Sequence, residues 1–256
     1  MKQTTLEEAK QLNASGNFQR LPVCREIFSD IRTPVETLKI LKGVSSHCFL
    51  LESIEDRERW GRYTFLGYDP TMELTCVDGK MTMTLREDRK APGKQVRTWI
   101  TERPQDEVRR VLEENRSPKV EGLPTFTGGL VGYFSYDYLK YSEPSLKFVP
   151  KTEEDFRDMD LMMFDKVIAF DNFRQKIFLI VHIRTEHLEQ EYDRAVETLD
   201  EMERLLEEGT PAKLEPGRLT SEVRQAFSKE EYCRKVEQVK DHIREGDIFQ
   251  LVLANP

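Results

Sequence analysis

The stretch Asp160–Phe170, DLMMFDKVIAF, and the stretch Lys176–Ile183, KIFLIVHI, are the most sheet-like part of this sequence. Both are rich in β-branched, aromatic and other large apolar residues, as strands are. Only a few residues, Asp171-Asn172-Phe173-Arg174 and Gln175, join them. That link is too short for a crossover helix, so the two runs must lie antiparallel. A second pair reads the same way. MELTCV (72–77) and KMTMTL (80–85) alternate apolar and polar residues on either side of Asp78-Gly79, the pair that supplies the two positive φ angles of a type I′ hairpin turn.

Working outward, helices and further strands flank these hairpins. Leu6–Ala14 reads as a short helix. Thr33-Pro34-Val35-Glu36 combines an N-cap threonine, a proline at the first helical position and a glutamate that completes a capping box, which predicts a helix running to Lys42 and stopping at Gly43. Another helix follows Pro104, with Val108, Val111 and Leu112 on one face. From Glu189 to Glu208 the apolar residues keep a 3.6-residue period, and Gly209 stands where a left-handed terminating glycine belongs. Ser228 and Glu231 form a second capping box ahead of a helix that ends at Gly246. Strands are expected at His47–Glu52, Arg62–Leu66, Leu130–Phe134 and Ile248–Leu253. Arg86–Arg97, with Pro92-Gly93, reads as a mobile connection, and Thr210–Thr220 as a linker. The fold class is therefore α+β, with antiparallel sheets backed by helices. Residues 1–215 form one region and 216–256 the start of another. The strand Ile248–Leu253 is apolar enough to need partners on both edges, so either it pairs back onto the earlier sheet or the chain is a fragment, and the pattern favours the fragment.

The 256 residues carry 39 Lys+Arg against 47 Asp+Glu, a net charge of −8. That balance argues against a nucleic-acid or anionic-membrane surface, since both need a basic stripe. No apolar stretch approaches the roughly 18 residues that would span a bilayer, and the N-terminus lacks a signal-peptide core, so a cytoplasmic protein is expected. The four cysteines, Cys24, Cys48, Cys76 and Cys233, are far apart and read as reduced packing residues. The histidines form no HExxH pair, so no histidine-built metal site is expected.

Several motifs have a plain reading. Thr127-Gly128-Gly129-Leu130-Val131-Gly132 lacks the spacing of a phosphate loop and reads as glycines that let strands approach closely. Glu153-Glu154-Asp155, with Asp158 and Asp160, reads as a solvated loop before a strand. Phe49-Leu50-Leu51-Glu52-Ser53 is more informative. A carboxylate and a hydroxyl stand where an apolar strand ends, and Arg57, Arg59 and Arg62 follow. Such a set suits the ammonium and carboxylate of a zwitterion, although on chemistry alone an ordinary ion pair at a strand end is the favoured account.

Three stretches, LLESIEDRERWGRYTFLG (50–67), FTGGLVGYFSYDYLKYSEP (126–144) and GDIFQLVL (246–253), resemble the component I proteins of anthranilate synthase, within the chorismate-utilising enzyme family. The resemblance covers the chain from about Thr33, with the motifs in order. It implies the two-layer sandwich of that family and the conversion of chorismate and ammonia to anthranilate and pyruvate, with ammonia supplied by a glutamine amidotransferase subunit. It also implies feedback inhibition by L-tryptophan and a magnesium cofactor. The LLES motif carries Glu52 and Ser53 over as tryptophan contacts, with Arg62 a looser match because the spacing after the motif varies. Gln250 stands where relatives that add water to chorismate carry a lysine, which implies an ammonia-using member; a purely structural hydrogen bond is the alternative role. The family's magnesium-binding glutamates and catalytic histidine would fall beyond Pro256, so this chain alone is expected to be inactive, with no metal ligand in it. Aminodeoxychorismate synthase component I and a non-catalytic tryptophan-binding or subunit-docking module are the alternative functions.

Overall fold

A computed structural model describes residues 2–53, 61–86, 94–143, 145–146, 156–213 and 215–255. Its elements, in chain order, are α1 (Leu6–Ala14), β1 (Arg20–Phe28), α2 (Pro34–Val44), β2 (Cys48–Leu51), β3 (Tyr63–Tyr68), β4 (Met72–Val77), β5 (Lys80–Arg86), β6 (Lys94–Ile100), α3 (Pro104–Glu113), β7 (Gly129–Phe134), β8 (Met159–Phe164), β9 (Lys166–Asp171), β10 (Lys176–Arg184), α4 (Leu188–Glu208) and α5 (Lys229–Glu245). A 3₁₀ turn at Tyr136–Tyr141 follows β7. The chain divides into two units, Met1–Lys213 and Leu214–Pro256.

The first unit holds two five-stranded sheets, ordered β1-β10-β9-β3-β2 and β6-β5-β4-β8-β7, with every pairing antiparallel. This is the expected α+β arrangement. In the first sheet both faces are apolar, which explains its unbroken hydrophobic sequence. Leu21, Val23, Leu66, Ile168, Phe170, Leu179 and Ile183 pack beneath α1, α2 and α4, against Leu199, Met202 and Leu206 of α4. The residues between them, Cys24, Val167, Ala169, Phe178 and Ile180, point the other way, toward Leu123 and Phe126 of the segment after α3. The second sheet buries one face only. Met72, Leu74, Met81, Leu161 and Met163 pack on Val111 of α3, while Glu73 and Asp160 on the opposite face pair with Arg157 at 2.8 and 2.9 Å.

The run Asp160–Phe170 proves to be two strands in different sheets. β8 stops at Phe164 and β9 starts at Lys166, so Asp165 alone carries the chain from one sheet to the other. The β9–β10 and β4–β5 hairpins form as read, and Asp78 and Gly79 take φ of 44° and 77°. The second turn is pinned from below by Asp158. Its Oδ2 accepts from the Asp78 amide at 2.8 Å and the Tyr141 hydroxyl at 2.7 Å, and Lys140 Nζ lies 2.9 Å away. Asp158 is thus wholly buried and is no solvated loop residue, because three donors replace its water. Glu153-Glu154-Asp155 lie outside the described residues.

Other local expectations need correction. β1 is a strand the pattern did not reveal, because Pro22 interrupts it; the proline is tolerated at the sheet's outer edge. α2 continues through Gly43 to Val44, and its capping box is half made: Thr33 accepts from the Glu36 amide, while the Glu36 carboxylate turns to Arg32 at 2.7 Å. Lys94–Arg97 belong to β6, so only residues outside the described set separate it from β5. Leu112 is half-exposed, leaving Val108 and Val111 as the buried side of α3. Gly209 is extended, with φ of −61°. It is glycine for space, since a Cβ there would lie 2.2 Å from the Leu205 carbonyl oxygen and 2.5 Å from Ile40.

In the second unit α5 carries the full Ser228–Glu231 capping box and ends on Gly246 at φ 84°. Ile248–Leu253 is not a strand. The segment is tied back to the start of α5 by side chains instead: Tyr232 donates to the Leu253 carbonyl at 3.0 Å, and Asn255 exchanges hydrogen bonds with the Phe227 backbone at 2.9 and 3.1 Å.

Candidate functional site

Glu52 and Ser53 follow directly on β2, and both are exposed. Arg57, Arg59 and Trp60 lie outside the described residues. Arg62, just before β3, is held by a buried acid: its Nη2 donates to Asp171 Oδ2 at 2.7 Å and its Nε reaches both carboxylate oxygens at 3.2 Å. Asp171 also accepts from the Phe173 and Arg174 amides at 3.1 and 3.0 Å, so it organises the β9–β10 turn as well. Burial alone would raise this carboxyl, but the Arg62 guanidinium and the two amides outweigh it and hold the pKa below the carboxylate range. Arg62 also lies over the Tyr63 ring, 4.9 Å from its centroid. Gln250 lies in the second unit, exposed and outside any strand.

The concave part of the first unit lies elsewhere. An open groove of about 1090 Å³ and a smaller cavity of about 440 Å³ share Arg20, Asn115, Met163, Asp165 and His182 as walls. Several cations of the groove are already paired with acids, Arg110 with Glu107 and Glu114, and Lys166 with Asp69.

The cavity differs. It sits where the chain crosses between sheets, on the first sheet's face that turns away from α1, α2 and α4. Register places it: Arg20 pairs with Arg184, and Pro22 with His182, so Arg20, His182 and Arg184 share one face at the sheet's end. The segment after α3 covers them. Gln19 and Arg20 donate their amides to the Arg116 carbonyl at 2.9 and 3.1 Å, and Arg20 Nε donates to Asn115 Oδ1 at 2.6 Å. His182 Nε2 lies 3.0 Å from Thr127 Oγ1. Gly128 follows at φ 157°; any Cβ there would sit 3.0 Å from both the His182 ring and the Phe164 carbonyl oxygen, so the glycine lets the covering segment close down on the histidine.

Electrostatics follow from that enclosure. Burial, aided by the Arg20 charge, pushes the His182 pKa down to about 4, so the ring is neutral at pH 7. Burial raises the Asp165 carboxyl above its usual range despite Lys166 and Arg20 nearby. It also lowers Arg20 from the usual guanidinium value. Asp165 Oδ1 and Ser117 Oγ, both beside the cavity, are buried without a hydrogen-bond partner. The pattern contained a hint of this site: an aspartate interrupts one apolar run and a histidine the other. Their companions Arg20, Asn115 and Ser117 come from segments that nothing local connects to them.

Among the described residues one group of side chains could share a metal ion: His242, Glu245 and Asp247, all exposed in the second unit, with His242 Nδ1 2.8 Å from Asp247 Oδ2. No helix among the described residues is long and apolar enough to cross a membrane.

Comparison with known proteins bears on the whole chain. It is 35% identical over 254 residues to anthranilate synthase component 1 of Acinetobacter calcoaceticus, an alignment covering 97% of this chain and 49% of that protein. With anthranilate synthase component 1 of Acetivibrio thermocellus it shares 31% over 258 residues, covering 98% and 50%. Among solved structures, anthranilate synthase component I from Streptococcus pneumoniae TIGR4 superposes with a TM-score of 0.55 and 25% identity, over 90% of this chain and 47% of that one. The chain thus spans about half the length of the curated relatives it matches. Residues 46–256 match the chorismate binding enzyme family, a stretch that takes in Glu52, Ser53, Arg62, Asp165, His182 and Gln250, and the chain belongs to that family.

Proposed function

We propose that this chain is the N-terminal part of an anthranilate synthase component I, which converts chorismate and ammonia to anthranilate and pyruvate in the cytoplasm. The similarity to component 1 proteins along 97% of the chain carries the reading. In this proposal ammonia comes from a glutamine amidotransferase partner. Gln250 is the residue of this chain nearest the chemistry. Ammonia brings its own lone pair and needs no base, so a neutral amide suffices to orient the substrate where a water-using enzyme needs a lysine with a depressed pKa. Glu52 and Ser53 are proposed as tryptophan contacts, the carboxylate accepting from the effector's ammonium and the hydroxyl sitting beside its backbone. Their exposure at the end of β2 leaves them open to a ligand. Arg62 has a competing duty, since Asp171 already engages its guanidinium.

Magnesium, when bound in such an enzyme, polarises the substrate carboxylate and helps the ring hydroxyl depart. The group His242, Glu245 and Asp247 does not suit that role, because it lies open to water at a helix end. We assign no step of the reaction through it and place the metal's ligands beyond Pro256.

Product analysis on a chain extended to the length of its relatives tests the reading. Anthranilate and pyruvate in equal amounts are expected from chorismate, ammonium and magnesium. Aminodeoxychorismate without pyruvate would assign the chain to the sister enzyme instead. The 256-residue chain should form neither product, and calorimetry should find no tryptophan binding if the effector pocket needs both halves; tight binding would favour a self-contained sensor module.

A further inference from the structure

We propose that the cavity between Arg20, Ser117, Asp165 and His182 is a binding site for a small apolar carboxylate, distinct from the effector position at Glu52 and Ser53. Four observations converge on that chemistry. First, Arg20 commits only its Nε, to Asn115; its terminal nitrogens have no acceptor among the described residues, and its strand partner is another cation, Arg184. A guanidinium with its fork open on a cavity is suited to two carboxylate oxygens. Second, Pro118, Leu123, Phe126 and Phe164 give the cavity an apolar wall, with Arg116 and Lys119 also on its lining. The volume of about 440 Å³ falls within the range of small-molecule pockets.

Third, Asp165 Oδ1 and Ser117 Oγ are sealed in beside this space without partners, an arrangement that costs stability unless something relieves it. The Ser117 hydroxyl is a donor, and an entering carboxylate is the acceptor it lacks; burial favours the protonated form of Asp165, the form in which it too can donate. Turning toward it requires a rotation of each side chain. Fourth, the charge balance favours an anion. His182 contributes a neutral ring, while Arg20, Arg116 and Lys119 line the space, so a carboxylate would be compensated and an amine would meet cations. The segment after α3 covers this corner, with Gly128 against His182, which lowers the local dielectric and strengthens the charge contact.

Benzoate, benzamide and benzylamine are nearly isosteric probes of opposite charge logic. Titrated into the 256-residue chain at constant ionic strength and followed by calorimetry, benzoate should bind saturably and at least about tenfold more tightly than benzamide, with benzylamine not binding. Arg20→Gln should erase the preference for benzoate, and Ser117→Ala should weaken benzoate alone. Equal binding of benzoate and benzamide, no benzoate binding, or a preference retained in Arg20→Gln would each overturn the proposal. If circular dichroism shows Arg20→Gln unfolded, the unsubstituted chain decides: benzoate must shift the ring resonances of His182 and leave those of His47, His187 and His242 in place, and an unshifted His182 refutes the site.

Discussion

The two ends of β9 are capped by the same residue type in opposite circumstances. At the far end, Asp171 is completely buried and completely satisfied, with a guanidinium and two backbone amides around it. At the near end, Asp165 is enclosed with one oxygen left over. The first carboxyl is held below its ordinary pKa and the second is raised above it. Asp165 precedes and Asp171 ends the same short strand, so the contrast arises within one element. It shows that burial alone does not set an acid's state; the donors that come with burial do. A satisfied acid is cement, whereas an unsatisfied one beside a cavity has capacity for something else.

Substitutions at the two ends should therefore differ in sign. Asp171→Ala strands Arg62 and leaves the Phe173 and Arg174 amides without an acceptor, and it should cost about 3 kcal/mol. Thermal unfolding of the variant should fall by roughly 6–12 °C; an unchanged midpoint would show that the two acids do not differ.

His182 sharpens the picture through pH. Its folded pKa is near 4 against 6.5 unfolded, so between those values the unfolded chain binds more protons and stability falls as pH falls. The contribution is fully present above pH 6.5 and amounts to at most about 3 kcal/mol. His182→Gln should remove that part of the acid-side slope, which denaturant titrations at pH 7 and pH 5 would reveal.

Asp165→Asn should have the smallest effect, and it should be favourable. For a carboxyl with a raised folded pKa the folded state binds more protons just above pH 3.8, so the penalty is present at neutral pH and relieved on acidification. An amide carries no such penalty, so stability at pH 7 should rise by about 1 kcal/mol or less. A loss of comparable size would mean that Asp165 is ionised and usefully paired.

Legibility in the sequence divided along the same line as these two acids. What is local was readable. Asp78-Gly79 demanded its hairpin, Ser228 and Glu231 their capping box, and the spacing of Ala195, Leu199, Met202 and Leu206 the buried stripe of α4. What depends on distant partners was not. Pro22 hid β1 because its place at a sheet edge is a property of the assembled sheet. Asp165 shows as a polar interruption of an apolar run, but nothing local says that the chain changes sheets there. The apolar IFQLVL segment satisfies every local rule for a strand, yet among the described residues it pairs with none. The cavity was the least readable feature, since Arg20 and Asn115 meet across 95 positions. Glu52, Ser53 and Gln250 entered through resemblance, which carries information about relatives that no period or spacing holds.

β1 leaves the ribosome well before β10, its one strand neighbour in the sheet among the described residues, and Glu26 meets Lys176 across 150 positions. At the usual rates of translation that partner follows roughly 10–30 s later. Until then an apolar ribbon holding Leu21, Val23 and Ile27 must be shielded by something else, so the nascent chain is a natural client for chaperones, and the slow closure of so non-local a contact should dominate its refolding.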